Sequence, residues 1–328
     1  MDDGARFPAL AWKAGHYESF YVKACRPEGG RGIWIRHTVH KRPGAEANAS
    51  LWFTLFDADA EGPRATKQTV PAGELSVPAG GWIRVAGATI GPGSAEGSVE
   101  TDALQASWTL SFSGDEEPCK YLPADWLYRA PVPRTKFVAP YPSARFDGTL
   151  DVDGESIELS GWPGMIGHNW GSEHAERWVW LEGTGFENEE SWFDAGAARI
   201  KVGRWTTPWV PAGMLVLDGV RHRLGGFGRI RGALIEESPT ACRFVLPGEG
   251  LLVRGHVSAP AKDFVGWVYA DPKGPEHNTV NCSIADLELT VEQEGRAPRR
   301  LSLAGGAAYE LGMRETDHGI PIQPYPDG

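Results

Sequence analysis

The chain has 328 residues, with 42 Gly, 25 Pro, 10% aromatic side chains and a formal net charge of −11. That charge argues against a nucleic-acid or anionic-membrane surface, which needs a concentrated field of Lys and Arg. No window reaches the ~18 apolar residues of a membrane span, and the first thirty residues hold no basic region followed by an apolar run, so a cytoplasmic chain without a transmembrane segment is expected.

In chain order, strands are expected at Glu18 to Ala24, Gly32 to His40 and Ala49 to Phe56, which are rich in aromatic and β-branched residues and separated by turn-formers. In the second of these, Ile33 and Ile35 share a face with His37, while Trp34 and Arg36 share the other with Thr38 and His40. His37 and His40 are thereby split across the strand, which does not suit a metal pair. Further strands are expected at Arg64 to Val70, Trp82 to Ile90, Ser98 to Thr101 and Gln105 to Ser113. In the last, Gln105, Ser107, Thr109 and Ser111 alternate with Ala106, Trp108, Leu110 and Phe112.

Residues 118–142 carry six prolines, including Pro131, Pro133, Pro140 and Pro142, and read as a strap that supplies no regular central strand. Its aromatic residues (Tyr121, Trp126, Tyr128, Phe137, Tyr141) imply that it packs on the body of the protein. Arg145 to Val152 and Ser156 to Ser160 read as a hairpin about Asp153-Gly154. Beyond it, strands are expected at Arg177 to Gly183, Glu190 to Val202, Gly213 to Leu217, Cys242 to Leu246, Leu251 to Ser258, Phe264 to Ala270, Asn278 to Glu292 and Ala307 to Leu311.

About seventeen strands with very little helix make an all-β chain, too large for one small barrel. Two barrels are expected, divided near residues 172 to 176: an N-terminal barrel over 1–172, with the strap at 118–142, and a C-terminal barrel over 173–328. The four cysteines (Cys25, Cys119, Cys242, Cys282) form no CxxC pair and are expected as buried free thiols.

Chemistry concentrates between Gly161 and Gly183. Half of the fourteen tryptophans (Trp162, Trp170, Trp178, Trp180, Trp192, Trp205, Trp209) fall within 162–209. Read as strands, this stretch puts His168 and Trp170 on one face, and Trp178, Trp180 and Glu182 on one face of the next strand.

At Gly167-His168-Asn169-Trp170-Gly171, followed by Trp178-Val179-Trp180, the sequence resembles the lipocalin-like superfamily of carotenoid 1,2-hydratases (hydroxyneurosporene synthases) and attachment-locus proteins, related in fold to tocopherol cyclase and the fungal Diels-Alderases. The resemblance implies two consecutive lipocalin-like (calycin) β-barrels packed side by side, with a ligand cavity at their junction. In that family the His-x-Trp pair is followed by an aromatic-x-Asp element whose carboxyl protonates an alkene. Trp192-Phe193-Asp194 is the best match here, with Trp192 where a tyrosine is usual.

The expected activity is acid-promoted hydration or cyclisation of a carbon–carbon double bond in a hydrophobic isoprenoid or polycyclic small molecule, with no metal and no organic cofactor. Asp194 and His168 are the expected catalytic pair. Asp194 would donate a proton once desolvation raised its pKa, and His168 would orient it or activate water. Trp170, Trp178, Trp180 and Trp192 are the expected substrate-binding residues, whose π faces favour a cation by about 0.5–2 kcal/mol each.

Structural alternatives stand beside each role: a turn-anchoring His168, core tryptophans, an ion pair of Asp194 with Arg199 or Arg177, and a solvated turn at Glu173, His174 and Glu176. Two other functions share the same residues, a non-catalytic carrier of a lipid or terpenoid and a pericyclase acting by preorganisation. Oligomeric state is not legible.

Overall fold

The structure is a computed structural model that describes residues 4–187 and 190–325. Almost all regular structure is antiparallel strand, and the helical elements described are five short 3-10 segments. None is long and apolar enough to cross a membrane. Twelve strands form a first sheet and ten a second, with a two-stranded ribbon at Lys201–Val202 and Trp205–Thr206.

Both sheets follow one plan. In the first, His16–Cys25 pairs on one side with Arg31–Lys41 and on the other with the sheet's last strand, Glu155–Gly171. In the second, Arg177–Gly183 lies between Trp192–Arg199 and the last strand, Arg299–Met313. Joining first strand to last turns each meander back on itself, and a bridge between Leu224 and Gly248 draws the free ends of the second sheet together. Two barrels packed side by side result, which removes most exposed strand edges.

Alternation decides what faces where. Phe20, Val22, Ala24, Ile33 and Ile35 fill the first barrel. From the opposite face of the same strands, Cys25, Trp34, Trp52 and Phe56 join the cluster that runs through the second barrel, packing with Trp267 and Ile284. These strands are therefore buried on both sides, and the eleven residues of Arg31–Lys41 hold not one exposed position. Gln105–Ser113, at the surface, shows the expected strict alternation of exposed and buried residues.

Twenty-four strands are present among the described residues, more than the seventeen expected, because short segments such as Leu75–Ser76 carry too few residues to show a period. The Asp153-Gly154 hairpin forms, with both residues at positive φ as a tight two-residue turn requires. The strap departs from expectation. It contributes Cys119–Lys120 and a 3-10 turn at Asp125–Tyr128, but from Thr135 it becomes part of an eighteen-residue strand, Thr135–Val152, that passes through Pro140 and Pro142. The ladder tolerates these prolines because its register shifts there, between Val138 and Tyr141 and between Tyr141 and Ala144, where amide donors are not needed. All four cysteines are free and buried.

Candidate active site

The outward faces of the two sheets enclose a cavity of about 260 Å³ with a mostly apolar wall. Tyr17, Tyr21, Trp34 and Arg36 reach it from the first sheet, and Trp178, Trp180, Asp194 and Glu310 from the second. Tyr121, Leu122 and Phe137 of the strap close another side.

Asp194 arrives by alternation. Its neighbours Phe193 and Ala195 point into the core of the second barrel, so Asp194 points out of it, opposite Glu182 on the adjacent strand. Only 4% of Asp194 is exposed. The Tyr121 hydroxyl donates to Oδ2, and the Trp180 indole Nε1 donates to Oδ1 at 2.9 Å. Burial raises its pKa to about 7, working against those two hydrogen bonds; the nearby Glu182 charge adds to the rise and Lys23 subtracts from it. Neither Arg199 nor Arg177 pairs with it, since Arg177 is held by Glu237 and Glu315 and Arg199 donates to the Thr207 carbonyl.

Three further polar groups border Asp194 or share its cavity. Glu182 forms an ion pair with Lys23 at 2.7 Å, both side chains fully buried, and Lys23 also donates to the Gly306 carbonyl. Glu310 accepts from Trp178 Nε1 (2.9 Å), the Tyr269 hydroxyl (2.9 Å) and Asn281 Nδ2 (3.3 Å). Arg36 donates through Nε to the Ser19 hydroxyl at 2.8 Å.

The Gly-His-Asn-Trp-Gly stretch acts differently from expectation. In Glu155–Gly171, His168 and Trp170 lie on the face turned away from the cavity, and Asn169 lies on the cavity face. His168 is fully buried, stacks on Phe20 at 3.8 Å and meets Glu18 Oε1 through Nε2 at 2.9 Å. Burial alone would raise the Glu18 pKa, but hydrogen bonds from His16 and His168 outweigh it and hold the carboxylate at about 2. Glu18 also accepts the backbone amides of Arg6 and Phe7, which anchors the N-terminal segment. Trp170 packs beside His168 and under the Arg6 guanidinium.

The glycines of the stretch serve the cavity directly. A Cβ on Gly167 would fall 2.1 Å from Cζ of Tyr21, so the tyrosine ring lies where only glycine leaves room. Gly312 does the same for the Trp178 indole.

Of the expected binding residues, Trp178 and Trp180 line the cavity, whereas Trp192 is buried behind it with Cys119, Met214 and Val216. Glu173, His174 and Glu176 do not converge; instead His174 is brought to Asp271 and His277, with one ligand atom from each lying within 4.8 Å of the others, a set that could hold a divalent ion. His174 also stacks on Tyr17 at 3.8 Å, and its ring Nδ1 stands 3.7 Å from Asp271.

Several site residues escape motif reading. Tyr121 lies seventy-three positions before Asp194, in the irregular segment just after Cys119–Lys120, so nothing local pairs them. Arg36 left a signal, as a charge on the Trp34 face of a strand whose other face is apolar.

Solved structures share the fold of this chain. A crystal structure assigned as AttH from Nitrosomonas europaea superposes with a TM-score of 0.53 over 96% of both chains at 13% identity. The fold is the two-barrel, lipocalin-like one. Kievitone hydratase from Nectria haematococca matches at TM-score 0.49 and 10% identity, over 92% of this chain and 89% of its own. In sequence, uncharacterized proteins from two strains of Mycobacterium tuberculosis, CDC 1551 / Oshkosh and ATCC 25618 / H37Rv, are 26% identical over 96% of this chain and 93% of theirs. No family model matches.

Proposed function

We propose that the protein is an enzyme that adds water to, or cyclises across, a carbon–carbon double bond of a hydrophobic isoprenoid or polycyclic molecule, with Asp194 as the proton source. The observation that carries this reading is a carboxyl at the wall of an apolar cavity, buried and titrating near neutrality. A carboxyl with an ordinary pKa would be ionised there and could not donate.

The neutral form of Asp194 needs an acceptor for its own proton, and the Tyr121 hydroxyl supplies one by rotating. Tyr121 then presents its O–H to the cavity, so a proton leaving Tyr121 for the alkene carbon is replaced by the one on Asp194. The electron pair of the double bond takes that proton and leaves a carbocation on the neighbouring carbon. The indoles of Trp178 and Trp180 face this charge, in a site where water competes little. In hydration, water forms the new C–O bond and gives up a proton to the Asp194 carboxylate, which restores the acid; in cyclisation, a second double bond supplies the electrons of the new C–C bond, and the cation this leaves loses a neighbouring proton to the Asp194 carboxylate, which again restores the acid. Glu310, arranged entirely as an acceptor, is a second base available to that water.

The test is incubation with a pool of isoprenoid lipids in isotope-labelled water, with products read by mass spectrometry. The native protein is expected to yield labelled or rearranged product, and Asp194→Asn to lose at least ~100-fold in rate, the usual scale of a general acid's contribution. A lipid held unchanged by both proteins would instead identify a carrier. Turnover undiminished in Asp194→Asn would identify preorganisation without proton transfer.

A further inference from the structure

We propose that Arg36 is a head-group clamp, and that the molecule taken by this cavity carries a carboxylate at one end of its apolar body. Of the three arginines that line the cavity, two are already bound to groups of the protein. Arg223 is engaged by the carbonyls of Lys120, Tyr121 and Leu122, and Arg134 by Glu173. Arg36 is only 5% exposed, yet among the described residues it forms no ion pair. Its hydrogen bond to a side chain is the one from Nε to Ser19.

What surrounds Arg36 is aromatic. Its guanidinium carbon stands 4.3 Å from the Tyr269 ring centre, 5.4 Å from Trp52 and 5.5 Å from Trp34. These faces stabilise the cation but occupy none of its in-plane donors. With Nε committed to Ser19, the terminal nitrogens remain as a fork matched to two oxygens of one carboxylate. Glu310, a cavity carboxylate bonded to the Tyr269 hydroxyl, is turned instead to Trp178, Tyr269 and Asn281.

A buried cation without its counter-ion is costly unless a ligand brings one. The overall charge of −11 does nothing to attract an acid, so the selectivity must come from this contact. A head group fixed at Arg36, on the first sheet, would present the hydrocarbon body to Asp194, on the second. This inference deepens the hydratase or cyclase reading and rests on it for the apolar body of the ligand.

The experiment measures binding of farnesoic acid, methyl farnesoate and farnesol by tryptophan quenching, in the Asp194→Asn protein so that no turnover intrudes. The acid is expected to bind at least ~10-fold more tightly than the ester. That preference should vanish in Asp194→Asn/Arg36→Met and survive in part in Asp194→Asn/Arg36→Lys, which keeps the charge if the methionine variant does not fold. Equal binding of acid and ester, failure of the acid to bind, or an acid preference that persists without a cation at position 36 would each overturn the proposal. Tight binding of the acid by the native protein with no conversion would leave the clamp standing and remove the acid-catalysis reading alone.

Discussion

At Asp194 the same burial that makes an acid also costs stability, and the cost grows as pH rises. Its pKa is about 7 in the folded protein and near the ordinary 3.8 when unfolded. Between those values the native state holds a proton that the unfolded chain has released, so folding stability falls as pH rises through the window. Below it both states are protonated and the effect disappears; above it the full cost of a buried charge is felt. Asparagine at 194 keeps an acceptor for Trp180 and a donor toward Tyr121 but never ionises. The melting temperature of Asp194→Asn relative to the native protein is therefore expected to be distinctly higher at about pH 8 than at about pH 5. Calorimetry at the two pH values checks this, and a difference independent of pH would show that the carboxyl is not desolvated. Asp194 was legible only through the resemblance of Trp192-Phe193-Asp194 to an aromatic-x-Asp element. The sequence hid Tyr121, because a hydroxyl brought in from a distant irregular segment leaves no local pattern.

Single elements explain why the Gly-His-Asn-Trp-Gly stretch matters while its histidine stands apart from the cavity. Strand alternation, correctly read, separated His168 and Trp170 from Asn169, but which of the two faces met the second barrel depended on tertiary packing. The cavity face presents glycines because neighbouring rings need the space. Gly167→Ala places a methyl 2.1 Å from Tyr21 Cζ and 2.3 Å from its hydroxyl, so the ring must swing into the cavity. Expected outcomes are a loss of roughly 1–3 kcal/mol, typical of overpacking, and weaker ligand binding out of proportion to that loss. Denaturant midpoints and ligand titration read the two separately, and unchanged affinity would show that Tyr21 does not shape the cavity. The strap taught a related lesson. Proline content argued against a strand beyond Thr135, yet Pro140 and Pro142 fall where the ladder shifts register and asks for no donor.

At the scale of the molecule, the two barrels are joined by a face with aromatic rings and a buried ion pair. The sheer number of strands made the double-barrel plan legible, but nothing in the sequence indicated that Lys23 of the first sheet would meet Glu182 of the second, far along the chain. Removing one partner leaves a charge stranded in the interior. Lys23→Met is expected to cost about 3–5 kcal/mol, while Lys23→Met/Glu182→Leu, which replaces the pair with apolar side chains, should recover most of it. A double-mutant cycle from denaturant unfolding measures the difference, and additive losses would show that the pair is not coupled. The same pair bears on chemistry, since Glu182 pushes the Asp194 pKa up and Lys23 pulls it down. Losing Lys23 alone therefore moves the alkaline limb of the pH–activity profile upward, whereas losing both charges moves it less. The contact that fastens the two barrels together also sets the acidity of the group placed between them, so a change at this interface alters fold stability and proton donation together.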